Sequence, residues 1–254
     1  MSDVAVQELH DGSVWRVTFA NGKGNVLDVE GMRKLAEVFR RAAAAPALKA
    51  ICLEGEGKHF SFGASVQEHL PGEVEGMFAT FRELVFAILE SSIFTIAAVR
   101  GQCLGGGLEV VTLCHRVIAH PDAMFGQPEI VLGVFAPVGS LALTDRIGRA
   151  NAEDLCLTGR SIDAGVAHGM GIVTEIHEQP ADAAVAWAVE QLSRHSALSL
   201  RHAVRAIRAD LTLKLRAELP ALEAQYLNEL MRTSDAVEGL NAFLEKRTPV
   251  WRNA

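Results

Sequence analysis

Three consecutive glycines, Gly105-Gly106-Gly107, separate an apolar run at 95–99 from an apolar stretch at 108–114, and Glu109 follows two residues later. Glycine loses more chain entropy on folding than any other residue, so three together are costly for an ordinary turn. Close approach of another group to the backbone explains them better. A strand that ends in such a turn and opens a helix leaves backbone N–H groups without intrahelical partners. Those donors stabilise negative charge that develops on an oxygen. Glu109 then lies in the first helical turn, beside the anion hole. A second glycine turn, Phe125-Gly126-Gln127-Pro128-Glu129, delivers another carboxylate after a short apolar stretch. Taken singly, Glu109 could merely complement the helix dipole and Glu129 could be an exposed loop charge. Together, two carboxylates flanking a group that polarises a carbonyl can add or remove water and protons beside it.

The residues around these turns set the architecture. Positions 13–20 alternate and are rich in Val, Trp, Thr and Phe, which predicts a strand. Helical spacing covers 28–45, ended by Pro46, and 71–90, with Pro71 near the first turn. Strands are expected at 48–53, 95–99 and 116–120, a helix at 106–114 and an extended piece at 123–127. Strand–helix alternation of this kind predicts mainly parallel pairing with right-handed crossovers. From about 139 the pattern turns helical, with helices expected at 151–157, 163–169, 181–195, 199–211 and 213–231. A strand-like stretch at 172–176 interrupts them.

Composition excludes several classes. Hydrophobic residues make up 49% of the 254, enough for a substantial core. A net charge of −7 disfavours nucleic acid as the partner. No apolar run reaches the length of a membrane-spanning helix, and 1–11 has no apolar core of a secretory signal. Cys52, Cys103, Cys114 and Cys156 are widely spaced, which predicts buried thiols and a cytoplasmic setting. The nine histidines show no metal-ligand spacing, so no metal is expected.

Segment 95–133 resembles the crotonase (enoyl-CoA hydratase/isomerase) superfamily, in which a strand enters a Gly-Gly-Gly-x-Glu turn and a Phe-Gly-x-Pro-Glu string follows. Three further strings agree in order: Asn25-Val26-Leu27, Phe60-Ser61-Phe62-Gly63-Ala64-Ser65-Val66, and the closing stretch from Glu238-Gly239-Leu240 to Arg247. The resemblance implies an α/β fold, a spiral of ββα turns over 1–195, with a helical trimerisation region over 196–254. It implies an acyl-CoA thioester as substrate, no cofactor beyond the CoA that the substrate carries, and a homotrimer or homohexamer. Carried over residue by residue, Ala64 and Gly106 supply the oxyanion hole, and Glu109 and Glu129 jointly activate water and deliver a proton. Phe62, Ser65, Val66, Phe135, Phe243 and Lys246 become substrate and CoA contacts.

The chain departs from simple hydratases where their glycine-rich loop is replaced by Gly133-Val134-Phe135-Ala136-Pro137-Val138-Gly139-Ser140. The oxyanion loop and the stretch from Gly126 to Pro137 look most like those of cyclohexa-1,5-diene-1-carbonyl-CoA hydratases of anaerobic aromatic degradation. That likeness implies hydration of a cyclic dienoyl thioester. Straight-chain hydration shares both glutamates and stays an alternative. An isomerase commonly needs one carboxylate, and a non-catalytic binding module needs neither.

Overall fold

The computed structural model describes residues 2–254. The chain opens on β1 (Asp3–Leu9), which pairs antiparallel with β2 (Val14–Ala20). The strand at 3–9 is one the sequence pattern does not predict; there Val4 and Val6 alternate with exposed neighbours and pack on the core. Next come α1 (Val29–Ala44) and β3 (Ala50–Gly55), with the Asp28 carboxylate capping α1 by accepting from the Gly31 N–H at 2.7 Å. After α2 (Val74–Glu90) the chain alternates β4 (Phe94–Val99), β5 (Gln102–Leu104), α3 (Gly106–Thr112), β6 (Arg116–Ala119) and β7 (Met124–Gly126). The remainder is α4 (Pro137–Ile147), α5 (Arg149–Thr158), β8 (Ser161–Asp163), α6 (Ala164–Met170), β9 (Glu175–Ile176), α7 (Pro180–Leu192), α8 (Ala197–Asn228) and α9 (Ser234–Leu244).

Two sheets result. The larger has the order β1-β2-β3-β4-β6-β9 and is parallel from β2 onward. The smaller has the order β5-β7-β8. β4 runs on into β5, and β6 into β7, so each of these turns of the spiral gives one strand to each sheet. Alternation along the strands divides the core. Trp15, Val17, Ile51, Leu53, Ala97 and Val117 face the cluster containing α1 and α2. Their neighbours Val14, Ala50, Cys52, Ile96 and Ile118 face Ala184, Ala188 and Leu192 of α7. A sheet covered on both faces requires such continuous apolar runs. Each fully buried Leu, Ile or Phe contributes roughly 1.5–3 kcal/mol. Cys52, Cys103 and Cys114 are buried free thiols, and Cys156 is half-buried.

The helical part corrects one expectation. Instead of two helices at 199–211 and 213–231 there is one, α8, with Pro220 inside it. Val204 and Arg208 before the expected break and Leu215 and Leu219 after it are buried at helical spacing, so the buried stripe crosses it. Thr212 there satisfies its hydroxyl on the Arg208 carbonyl at 2.8 Å, within the helix. Pro220 lies on the exposed side, where the carbonyl it leaves free can meet water. α8 packs across α2 and α4, and these three helices enclose the site. No helix among the described residues is long and apolar enough to cross a membrane.

Candidate active site

The two glycine turns come together through their backbones. Gly105 N–H donates to Gly126 O at 2.9 Å, joining the start of α3 to the end of β7. Gly105 adopts φ 50° and ψ −127°, a region open in practice only to glycine. A side chain there would also collide with the site, since a Cβ would stand 2.7 Å from Glu129 Oε1. Gln127 locks the junction. With its amide oriented so that donors meet acceptors, its nitrogen donates to Gly105 O at 3.0 Å and Gly126 O at 3.1 Å. The far end of α3 is fixed by two guanidiniums, that of half-buried Arg146 and that of buried Arg208. Arg146 donates to Thr112 O and Cys114 O, and Arg208 to Leu113 O, so carbonyls the short helix leaves open are satisfied by cations.

The loop opposite is built from the N-terminal strings. Asn25, at φ 46°, donates from its amide to Glu56 O (2.8 Å) and His59 O (2.7 Å). Leu27 N–H donates to Gly63 O, and Ser65 N–H returns a bond to Leu27 O. Between them the Ala64 N–H is left over. Ser61 ties the loop to β5, donating its N–H to Gln102 O and accepting from the Leu104 N–H. Its hydroxyl donates to Asn25 O and accepts from Gly63 N–H. This stapling brings the loop against α3: a Cβ at Gly106 would lie 3.2 Å from Ala64 N. Neither the Ala64 nor the Gly106 N–H donates to another described residue, and both residues line one cavity. Two free donors on one wall can accept a developing oxyanion.

That cavity measures about 450 Å³, and Glu109 and Glu129 both line it. Glu109 is 4% exposed and its Oε1 accepts from Gly139 N–H at 2.6 Å. Glu129 Oε2 is buried and has no hydrogen-bond partner among the described residues. Burial pushes both carboxyls up, and the Glu109 charge pushes Glu129 further. The amide donors of Gly139 and Val138 pull Glu109 back toward its ionised form, whereas no other residue donates to Glu129. Their surroundings differ in the direction that separates a base from an acid.

Of the expected contacts, Phe62, Val66, Phe135 and Phe243 line the cavity. Phe243 is carried there by α9, which approaches the turn after Glu129 through Gly239; a Cβ at that glycine would stand 2.1 Å from Leu132 O. Ser65 and Lys246 are not among the lining residues. Ser65 is taken up by Leu27 and by the His69 ring, which donates to its carbonyl at 2.7 Å. Lys246 is exposed just beyond α9. Sequence reasoning missed Asn25, Ser61 and Gln127 as positioning residues. It also missed Phe78, Phe81, Leu219 and Glu223, which close the cavity from α2 and α8.

Known proteins share this sequence pattern and this fold. The family model for Enoyl-CoA hydratase/isomerase matches residues 10–254. A cyclohexa-1,5-dienecarbonyl-CoA hydratase of Thauera aromatica is 48% identical, over 96% of this chain and 94% of its own. A 2,3-dehydroadipyl-CoA hydratase of Escherichia coli (strain K12) is 33% identical over 89% of each chain. Among solved structures, an enoyl-CoA hydratase from Mycobacterium avium subsp. paratuberculosis K-10 superposes with a TM-score of 0.84, at 26% identity and 98% coverage of both chains.

Proposed function

The chain belongs to the enoyl-CoA hydratase/isomerase family, and we propose that it adds water to cyclohexa-1,5-diene-1-carbonyl-CoA, giving 6-hydroxycyclohex-1-ene-1-carbonyl-CoA. It is a hydro-lyase acting on an acyl-CoA. The observation that carries the hydration chemistry is the pairing of Glu109 and Glu129 in one apolar cavity beside two free N–H donors. The 48% identity to a hydratase named for this cyclic substrate supports the choice of ring.

The thioester oxygen sits at the Ala64 and Gly106 N–H groups, with a water between the two carboxylates. Glu109, the more readily ionised of the two because the Gly139 N–H donates to it, takes a proton from that water as its oxygen bonds to the β-carbon. The electron pair moves through the diene onto the thioester oxygen, where the two donors receive it. Glu129, whose burial favours the protonated form, gives its proton to the far end of the diene. The double bond settles between the original pair, and the proton taken by Glu109 passes back through solvent to reset Glu129. One water is consumed and nothing is oxidised, so the step balances without a further reactant.

The walls suit a ring. Phe78, Phe81 and Leu219 close the inner end, and Phe135 packs edge-on to Tyr226 at 5.3 Å between ring centres. A flat six-membered ring fills such a space and holds its β-carbon at the water, whereas a four-carbon chain buries less surface and adopts more poses. Each unburied CH₂ forfeits ~0.8 kcal/mol, so the expected preference over crotonyl-CoA is roughly 10- to 100-fold in kcat/KM. Equal kcat/KM for the two thioesters would overturn the cyclic reading and leave straight-chain hydration. By this reading the host process is the anaerobic degradation of aromatic acids. The assembly is a trimer or a dimer of trimers, with Lys246, exposed just beyond α9, reaching a neighbour's CoA, while Phe243 lines the cavity of its own chain. A monomer in sedimentation at micromolar concentration would refute that arrangement.

A further inference from the structure

Exposure grades along the cavity and gives it a direction. Phe62 and Phe243 at its mouth are 48% and 55% exposed, while Phe78, Phe81 and Leu219 are at most 6% exposed. An acyl-CoA must leave its nucleotide outside, so the acyl group points toward the end closed by α2 and α8. A charged side chain stands at that end. Glu223 of α8 lines the cavity, is 7% exposed, and accepts a hydrogen bond from Arg82 of α2. Arg82 does not line the cavity; its side chain is 41% exposed and borders a groove on the outer surface. Among the described residues, no lysine or arginine lines the cavity. An occupant therefore meets the carboxylate, with its neutralising cation held behind it. Glu109 and Glu129 have work in the reaction, and Glu223 has none.

Resting on the acyl-CoA reading above, we propose that Glu223 sets the class of acyl group the site admits, excluding acyl chains that end in a carboxylate. It does so by like charge and by keeping Arg82 engaged. Specificity achieved by repulsion costs the neutral substrate nothing, because a hydrocarbon ring makes no demand on either charge. The same arrangement holds the means of reversal. With the Glu223 side chain removed, an incoming carboxylate can occupy its place and receive the Arg82 guanidinium, a charge-assisted pair.

Hexanoyl-CoA and adipoyl-CoA test this, since they share a six-carbon chain and differ in the terminal carboxylate. Their dissociation constants are measured by calorimetry on the intact protein, wild type and variants. Wild type is expected to favour hexanoyl-CoA, and in Glu223→Ala that preference falls by about tenfold or more as adipoyl-CoA binding improves. Glu223→Gln, which keeps the shape and removes the charge, lowers it in the same direction. Adding Arg82→Gln to Glu223→Ala restores the preference, because the receiving cation is gone. An unchanged ratio in both Glu223 variants, or equal binding of the two ligands by wild type, would overturn the assignment. Binding is read without turnover. A protein that shows this pattern yet hydrates no thioester overturns the hydratase reading alone, and one that binds no acyl-CoA overturns both.

Discussion

Replacing Gly105 by alanine tests whether the glycine turn exists for the glutamate it faces. The new Cβ would lie 2.7 Å from Glu129 Oε1, well inside van der Waals contact. The carboxylate is the movable end of a side chain, so relieving the clash by a shift of roughly half an ångström is cheap for the fold. It is not cheap for chemistry, where a misplacement of about 1 Å costs on the order of 100-fold in rate. The expected loss in kcat is therefore about 10- to 100-fold. A second cost falls on stability. At φ 50° and ψ −127° a non-glycine residue stores about 1–3 kcal/mol of backbone strain, or a Tm decrease of roughly 2–12 °C for a chain of this length. Steady-state hydration of the cyclic dienoyl-CoA and a thermal melt read the two effects separately. A kcat within about twofold of wild type, with the melt lowered as expected, would mean that Glu129 has no fixed position to lose.

The remaining expectations concern the carboxylates. Glu109→Gln and Glu129→Gln should each cut hydration by about 100-fold or more while leaving affinity for a CoA ester nearly intact, because neither group holds the thioester. Near-wild-type turnover in either variant removes that residue from the mechanism. Stability should depend on pH in a definite sense. Burial pushes Glu109 up to about 7 and Glu129 up to about 8, above the 4.5 of an ordinary glutamate. The folded state then binds more protons than the unfolded chain, so their contribution is full below about pH 4.5 and is lost as pH rises through 7 to 8. Glu129→Gln should accordingly raise Tm, and raise it more at pH 8.5 than at pH 5, in melts across that range. Equal shifts at both ends would refute the buried, partnerless carboxylate.

What the sequence made legible was whatever is encoded locally. The triple glycine, both glutamates and the Ala64 loop are short strings whose chemistry depends on neighbours in the chain, and the structure brings them to one cavity. The parallel core was readable because apolar runs such as Ile51–Leu53 and Ile96–Val99 serve two faces of a covered sheet. The long α8 reads as two helices at the level of sequence, since Thr212 weighs against a helix locally, while the buried stripe from Val204 and Arg208 to Leu215 and Leu219 outweighs it. The inner wall was illegible for a different reason. Phe81 and Glu223 are far apart in sequence and ordinary within their own helices, and only the packing of α8 across α2 makes them neighbours of the substrate. Asn25 and Ser61 sit in strings whose local sequence carries no sign of a role; their hydrogen bonds hold the Ala64 loop in place.

The fate of the added proton tests the central claim most directly. The cyclic dienoyl-CoA is hydrated in D₂O and the product examined by NMR. Delivery by Glu129 across the diene predicts one deuterium at the far ring carbon, with none on the carbon that bears the thioester. Deuterium on the thioester-bearing carbon, the position protonated in simple hydration, would contradict the account.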